Sequence, residues 1–312
     1  MVIVAYFCVS HSPKTNAMRN LRFLSIFITS LFIFSCSTVP LTNRKQLTII
    51  PQSDLLAMSF AQYDAFLDTT NVSSNQEQVD MVKTVGKNIE HAVVQYLADN
   101  NYAQLLEGFN WEFNLVEDNQ ANAWCMPGGK VVIYTGILPI TQDENGLAVV
   151  MGHEIAHAIA DHGNERMSQG LLQQYGGVAL SVALQNKPTE TQALWMTAYG
   201  VGTYYGAMLP YSRLHESEAD HLGLIFMSIA GYNPQASIPF WQRMASASGG
   251  QSPPEFMSTH PSNETRISNL QKWMPEALEY YNGEKGAGTG NNSNTGGGDE
   301  NKGNSKVVKI GS

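Results

Sequence analysis

The stretch Val149-Val-Met-Gly-His-Glu-Ile-Ala-His-Ala-Ile-Ala160 sets His153, Glu154 and His157 inside an otherwise apolar run. Asp143 and Glu144 precede it, where negative charge favours a helix N-terminus, so the segment reads as a helix from about Gln142 to Ala160. Residues four apart share a helix face, and the two imidazoles therefore aim at one point. Neutral imidazoles suit Zn2+, and Glu154 beside them is placed to take a proton from water at the metal. Two core histidines bonded to backbone are the plainer alternative. The cost of burying three polar groups without partners weighs against it.

A catalytic zinc takes three protein ligands and keeps one position open, so a third ligand is needed from elsewhere. Ser212-Arg-Leu-His-Glu-Ser-Glu-Ala-Asp220 supplies candidates on a helix that Ser212 can cap and that Gly231 and Pro234 stop. Glu216 and Asp220 are four apart, so one carboxylate can reach the metal and the other can orient a ligand histidine. Glu218 points about 160° from Glu216 at ~100° per residue, which makes it a surface or structural residue. His215 and His221 are rival ligands lying off the Glu216/Asp220 face. His162 is rotated about 140° from His157, and it reads as structural, as does His91.

Outward from these helices, Ser53 or Asp54 can cap a helix to about Asp68, and Gln76 to about Ala98 carries apolar residues at helical spacing. Phe109 to Val116 alternates with period two, and Asn122–Met126 and Lys130–Thr135 flank the turn residues Pro127-Gly-Gly129. That is a strand followed by a hairpin. Ala193 to Pro210 carries no charge, but its glycines, threonines and tyrosines favour a packed or lid-forming helix over a membrane span. A few strands followed by many helices give an α+β layout, mostly helical with a small sheet.

The ends read differently. Arg19 and Arg22 precede the apolar run Phe23–Phe34 and then Ser35-Cys36, the pattern of an export signal, with Cys36 where a bacterial lipoprotein is cleaved and lipidated. Residues 1–17 have no evident role, and Met18 is a candidate start. Lys14, Arg19 and Arg22 are the only charges in residues 1–36, so losing these three cations takes the formal net charge from −9 to −12. An acidic chain is a poor nucleic-acid binder. Cys125 is the one cysteine left, so no internal disulfide forms. The Gly/Asn-rich residues 283–312 read as a disordered tail, leaving 37–282 as the folded domain.

His153-Glu-Ile-Ala-His157 with Glu216-Ser-Glu-Ala-Asp220 resembles the gluzincin peptidase family that contains the HtpX heat-shock protease, mitochondrial Oma-type proteases and CAAX prenyl proteases. Asn122-Ala-Trp-Cys-Met-Pro-Gly-Gly129, Tyr211-Ser-Arg213 and His260-Pro-Ser-Asn-Glu-Thr-Arg266 add to the likeness, nearest to exported bacterial members such as BepA. The resemblance implies a zincin-like fold with a small antiparallel sheet beside the active-site helix. It implies one Zn2+ held by His153, His157 and Glu216, Glu154 as catalytic base and Asp220 behind a ligand. It also implies an edge strand at Asn122, Ala123 and Trp124 that binds extended substrate by β-augmentation; a hairpin serving only the fold is the alternative. His260 and Arg266 either stabilise the anionic intermediate or, for His260, fill the metal's open position and keep the enzyme latent.

The expected activity is cleavage of internal peptide bonds in misfolded or unassembled envelope proteins, with unfolded polypeptide as partner. The expected location is the bacterial cell envelope, at the outer membrane facing the periplasm, anchored by lipid on Cys36. A latent zinc-bound chaperone or assembly factor is the rival reading.

Overall fold

The computed structural model describes residues 36–247, 256–257, 260 and 265–285. The leader, residues 1–35, and the tail from 286 onward lie outside the described residues, as does the side chain of Cys36.

A three-stranded sheet forms one wall: β3 (Glu112–Val116), β5 (Lys130–Tyr134) and β4 (Ala123–Met126), in the order β3-β5-β4. β4 and β5 are the expected antiparallel hairpin, with Trp124 opposite Val132. The turn between them uses Gly128 and Gly129 at φ 88° and 84°, a region costly for other residues. β3 runs parallel to β5, so the sheet is mixed, where a wholly antiparallel one was expected. The reason is topological: the chain reverses between β3 and β4 and again at the hairpin, so β5, lying between them, runs in the direction of β3.

Side chains alternate across the sheet. Val131 and Ile133 face the main core, while Val132 and Tyr134 face a smaller cluster with Tyr63 of α1 (Gln52–Leu67). That helix starts at Gln52 after Pro51, without the Ser53 or Asp54 side-chain cap expected for it. The main core lies between the sheet and four helices: α2 (Gln76–Asp99), α3 (Glu144–Ile159), α6 (Leu209–Ile229) and α8 (Arg266–Tyr281). Asn75 caps α2 through the Gln78 amide, and Asp143 caps α3 through the Gly146 amide at 2.8 Å. α3 is buried nearly all round, as expected of a helix apolar on every face.

Between α3 and α6 run α4 (His162–Leu184) and α5 (Thr189–Thr203), a pair with few charges that leaves Tyr175, Val182, Leu194 and Trp195 exposed. α5 continues through a π-helical turn, Tyr204–Met208, directly into α6, which therefore begins at Leu209 without a Ser212 cap. No described helix is long and apolar enough to cross a membrane. A short ribbon of β1 (Cys36–Thr38) and β2 (Lys45–Leu47) lies against α4, and α7 (Ser237–Ala247) packs on α3 and α8.

Candidate metal centre

α3 and α6 approach backbone to backbone at Gly152 and Gly223, where a Cβ added to Gly152 would lie 2.8 Å from the Gly223 oxygen. The next residue on α3 is His153. One turn on is His157, and α6 presents Glu216 and Asp220 to the same point. His153 Nε2 is 3.1 Å from His157 Nε2, and Glu216 oxygens lie 3.4 Å from each of these nitrogens. His260 completes the group, its Nδ1 3.3 Å from His153 Nε2 and 3.1 Å from Glu216 Oε1. All four residues are buried.

These separations fit a small tetrahedral cation. Ligand atoms about 2.0–2.1 Å from a zinc ion lie about 3.3–3.4 Å apart, and three imidazoles with a carboxylate are borderline-soft donors of the kind zinc takes. The surroundings orient the donors. Asp220 Oδ1 sits 3.0 Å from His153 Nδ1, leaving Nε2 to face the centre. Arg266 donates from Nε to Asp220 Oδ2 at 2.7 Å and from Nη2 to Glu216 Oε2 at 2.9 Å, while its guanidinium lies 3.8 Å from the Trp241 ring centroid. It is 2% exposed. Nε and Nη2 of the arginine are thus committed to the two carboxylates, while its Nη1 has no hydrogen-bond partner.

Glu154 is 3% exposed, and its Oε1 has no hydrogen-bond partner; His260 Nε2 stands 3.4 Å away. Burial pushes its carboxyl above the ordinary value, against the pull of His260 and His153. Burial also pulls the His157 imidazole well down. Burial opposes ionisation of Glu216, yet His153, His157 and His260 hold its carboxyl far below the usual carboxylate range. For His153 burial is outweighed by Asp220 and Glu216, which raise it to about 9. The pocket therefore carries a fixed carboxylate, imidazoles around it and a proton acceptor to one side.

His162, expected to be structural, lies outside the metal-facing group. α3 ends at Ile159 and Asp161 takes φ 55°, so the helical phase breaks and His162 comes back beside His157 on the side of the ring away from the metal-facing Nε2. The His162 Nδ1 lies 2.9 Å from His157 Nδ1. Of the two readings of Glu218, surface or structural, the structural one holds: it is 4% exposed, covered by Arg44 from the β1–β2 connection. His215 bonds Glu165 at 2.8 Å and His221 bonds Glu276 at 2.9 Å, so neither joins the cluster; His91 faces solvent on α2.

β4 lies beside α3 and pairs only with β5 among the described residues. Ala123 is buried in the core, and Asn122 accepts the Tyr134 amide through its carbonyl. The Trp124 ring packs edge-on against Tyr63 and Phe66, behind the sheet. On its other face β4 turns Ala123 and Cys125 into the core shared with α3. The turn at Phe256 sits at its start, the Phe256 amide donating to the Ala121 carbonyl at 3.1 Å.

Paired histidines on one buried helix, completed by a glutamate from a second and flanked by a buried glutamate, define a zincin-type metal centre. Comparison with known sequences gives the family: residues 87–274 match the model of peptidase family M48, and the chain belongs to that family. It is 39% identical to the mitochondrial metalloendopeptidase OMA1 of Saccharomyces cerevisiae over 202 residues, 62% of this chain and 55% of the relative. The human mitochondrial metalloendopeptidase OMA1 matches at 29% over 247 residues, 77% of this chain and 46% of the relative. The beta-barrel assembly-enhancing protease of Escherichia coli matches at 28% over 165 residues, 52% and 34% respectively. The chain spans about half the length of the mitochondrial relatives.

The expected location, a lipid-anchored protein of the bacterial outer membrane facing the periplasm, is thereby overturned. Identities of 39% and 35% are to mitochondrial proteins of two yeasts, against 31% and 28% for the beta-barrel assembly-enhancing proteases of Yersinia pestis and Escherichia coli.

Proposed function

We propose that the chain is a zinc-dependent endopeptidase that hydrolyses internal bonds in extended segments of unfolded or unassembled proteins. The convergence of His153, His157 and Glu216 donor atoms beside the unpartnered Glu154 carboxylate carries this reading. When bound there, zinc supplies Lewis acidity that polarises a peptide carbonyl and acidifies water. Glu154, with its affinity for protons raised by burial, accepts the water's proton and passes it to the leaving nitrogen. Asp220 and Arg266 hold His153 and Glu216 in place, which is the role we assign Arg266 in preference to contact with the oxyanion. β4 pairs with substrate main chain, which recognises extended polypeptide with little demand on sequence.

His260 favours a latent resting state. Its Nδ1 stands where a fourth ligand would, and the turn carrying Phe256 bonds the start of β4, so one segment covers both the metal centre and the substrate edge. Cleavage of an unfolded protein by wild type and His260→Ala, with metal content measured in both, tests the reading. The expected result is equal metal and faster cleavage by the variant. Metal-loaded protein that cleaves nothing with or without His260 would leave a binding role in place of the peptidase.

A further inference from the structure

We propose that His162 and Glu218 form a positioning relay that fixes the tautomer and ring orientation of the metal ligand His157, with Arg44 as its outer anchor. The inference rests on metal binding at His157 and extends it to residues outside the ligand set.

The relay is a continuous line of buried contacts. A ligand imidazole that offers Nε2 to a cation keeps its proton on Nδ1, and that N–H requires an acceptor. His157 Nδ1 has one candidate partner within hydrogen-bond range among the described residues, His162 Nδ1 at 2.9 Å. For His162 to accept there, its own proton must sit on Nε2, and this nitrogen faces Glu218 Oε2 at 3.1 Å. Glu218 in turn accepts from Arg44 Nε at 2.9 Å, Arg44 Nη2 at 2.8 Å and Thr42 Oγ1 at 2.7 Å. Each proton in the line has one consistent position. Reversing the first bond would put the His162 proton on Nδ1 and turn a bare Nε2 toward a carboxylate, two acceptors face to face.

The ring of His162 is also held in its plane. It is fully buried and stacks on His215 at 4.2 Å with 18° between planes, and His215 is fixed by Glu165, to which Arg44 also binds at 2.8 Å. Arg44 thus bridges the two carboxylates that hold the two stacked rings. A connection between two three-residue strands, over a hundred residues before the metal helix, becomes part of the metal centre's support. The left-handed residue Asp161 makes this possible by bringing His162 back beside His157.

Two substitutions separate this role from packing. His162→Asn keeps an acceptor at the Nδ1 position, and His162→Gln keeps a polar group toward Glu218 but leaves His157 without its acceptor. Zinc affinity is measured on the full chain by chelator competition, the visible spectrum of the cobalt-loaded protein reports ligand geometry, and the melting temperature of the metal-free forms reports packing. Losing an outer partner of a ligand histidine lowers metal affinity by about 10–100-fold. We expect that loss and an altered cobalt spectrum for His162→Gln, with His162→Asn within a few-fold of wild type. Equal losses in both variants, or none in either, would overturn the relay while leaving metal binding intact. A wild type that binds neither ion would instead overturn the metal centre, and the relay with it.

Discussion

Replacing Gly152 by alanine tests what sets the spacing of the two ligand-bearing helices. An alanine Cβ there lies 2.8 Å from the Gly223 oxygen and 3.4 Å from the Gly223 carbonyl carbon and Cα. An ordinary carbon–oxygen contact is about 3.3–3.6 Å, so α3 and α6 must part by roughly 0.6 Å. The obstacle is backbone, which cannot swing aside as a side chain can. Overpacking of this kind costs about 1–3 kcal/mol, and each kcal/mol shifts the melting temperature by about 2–4 °C in a domain of this size, so a fall of roughly 2–12 °C is expected. The same displacement separates His153 from Glu216 by more than the ~0.5 Å that a preorganised site tolerates, so zinc affinity falls by about tenfold or more. Scanning calorimetry of the metal-free chain and chelator competition of the loaded one measure the two effects. Gly170→Ala, with nothing within 4 Å of its added Cβ, is the control and is expected to be neutral or stabilising. If Gly152→Ala melts within 1 °C of wild type and binds zinc equally well, the helix contact does not set the site.

Two further outcomes follow from the site and its margin. Burial pushes the Asp161 carboxyl from 3.8 to about 7, so the folded chain holds a proton that the unfolded chain releases, and stability falls as pH rises from about 4 to 7. Asp161→Asn tolerates the left-handed backbone and removes that loss; discounted for partial exposure, it gains about 1–2 kcal/mol at pH 8 and almost nothing at pH 4, and a gain independent of pH would refute the assignment. Zinc at a hundred times its dissociation constant stabilises the fold by ~2.7 kcal/mol, so a chelator should lower the melting temperature by several degrees and stop cleavage, both reversed by added zinc. An unmoved melting temperature would speak against a metal bound by the folded state.

The residues closest to the chemistry were legible because each lies at a fixed offset on one helix. His153 and His157, then Glu216 and Asp220, share faces by helical spacing alone, and the structure brings all four together. What spacing cannot carry is a break in phase. Asp161 interrupts the helix, and His162 falls beside His157 where a continuous helix would carry it away. Spacing left Glu218 either surface or structural because its cover, Arg44, is 174 residues distant in sequence. The parallel pairing of β3 with β5 has the same character: alternation reveals a strand, and only tertiary contacts decide its neighbour. Phe23–Phe34 is apolar by sequence, but a leader motif does not identify a compartment, and relatives from mitochondria overturned the bacterial one read from it.

The central claim is that Glu154 acts as the base beside a metal held by His153, His157 and Glu216. Wild type and Glu154→Gln, loaded with zinc to the same measured stoichiometry, are each incubated with one unfolded protein, and the products are sequenced by mass spectrometry. General-base catalysis contributes about 10²–10⁴-fold, so internal-cleavage peptides should arise from wild type and fall by at least a hundredfold in the variant. The same peptides appearing at the same rate from both proteins would contradict the claim.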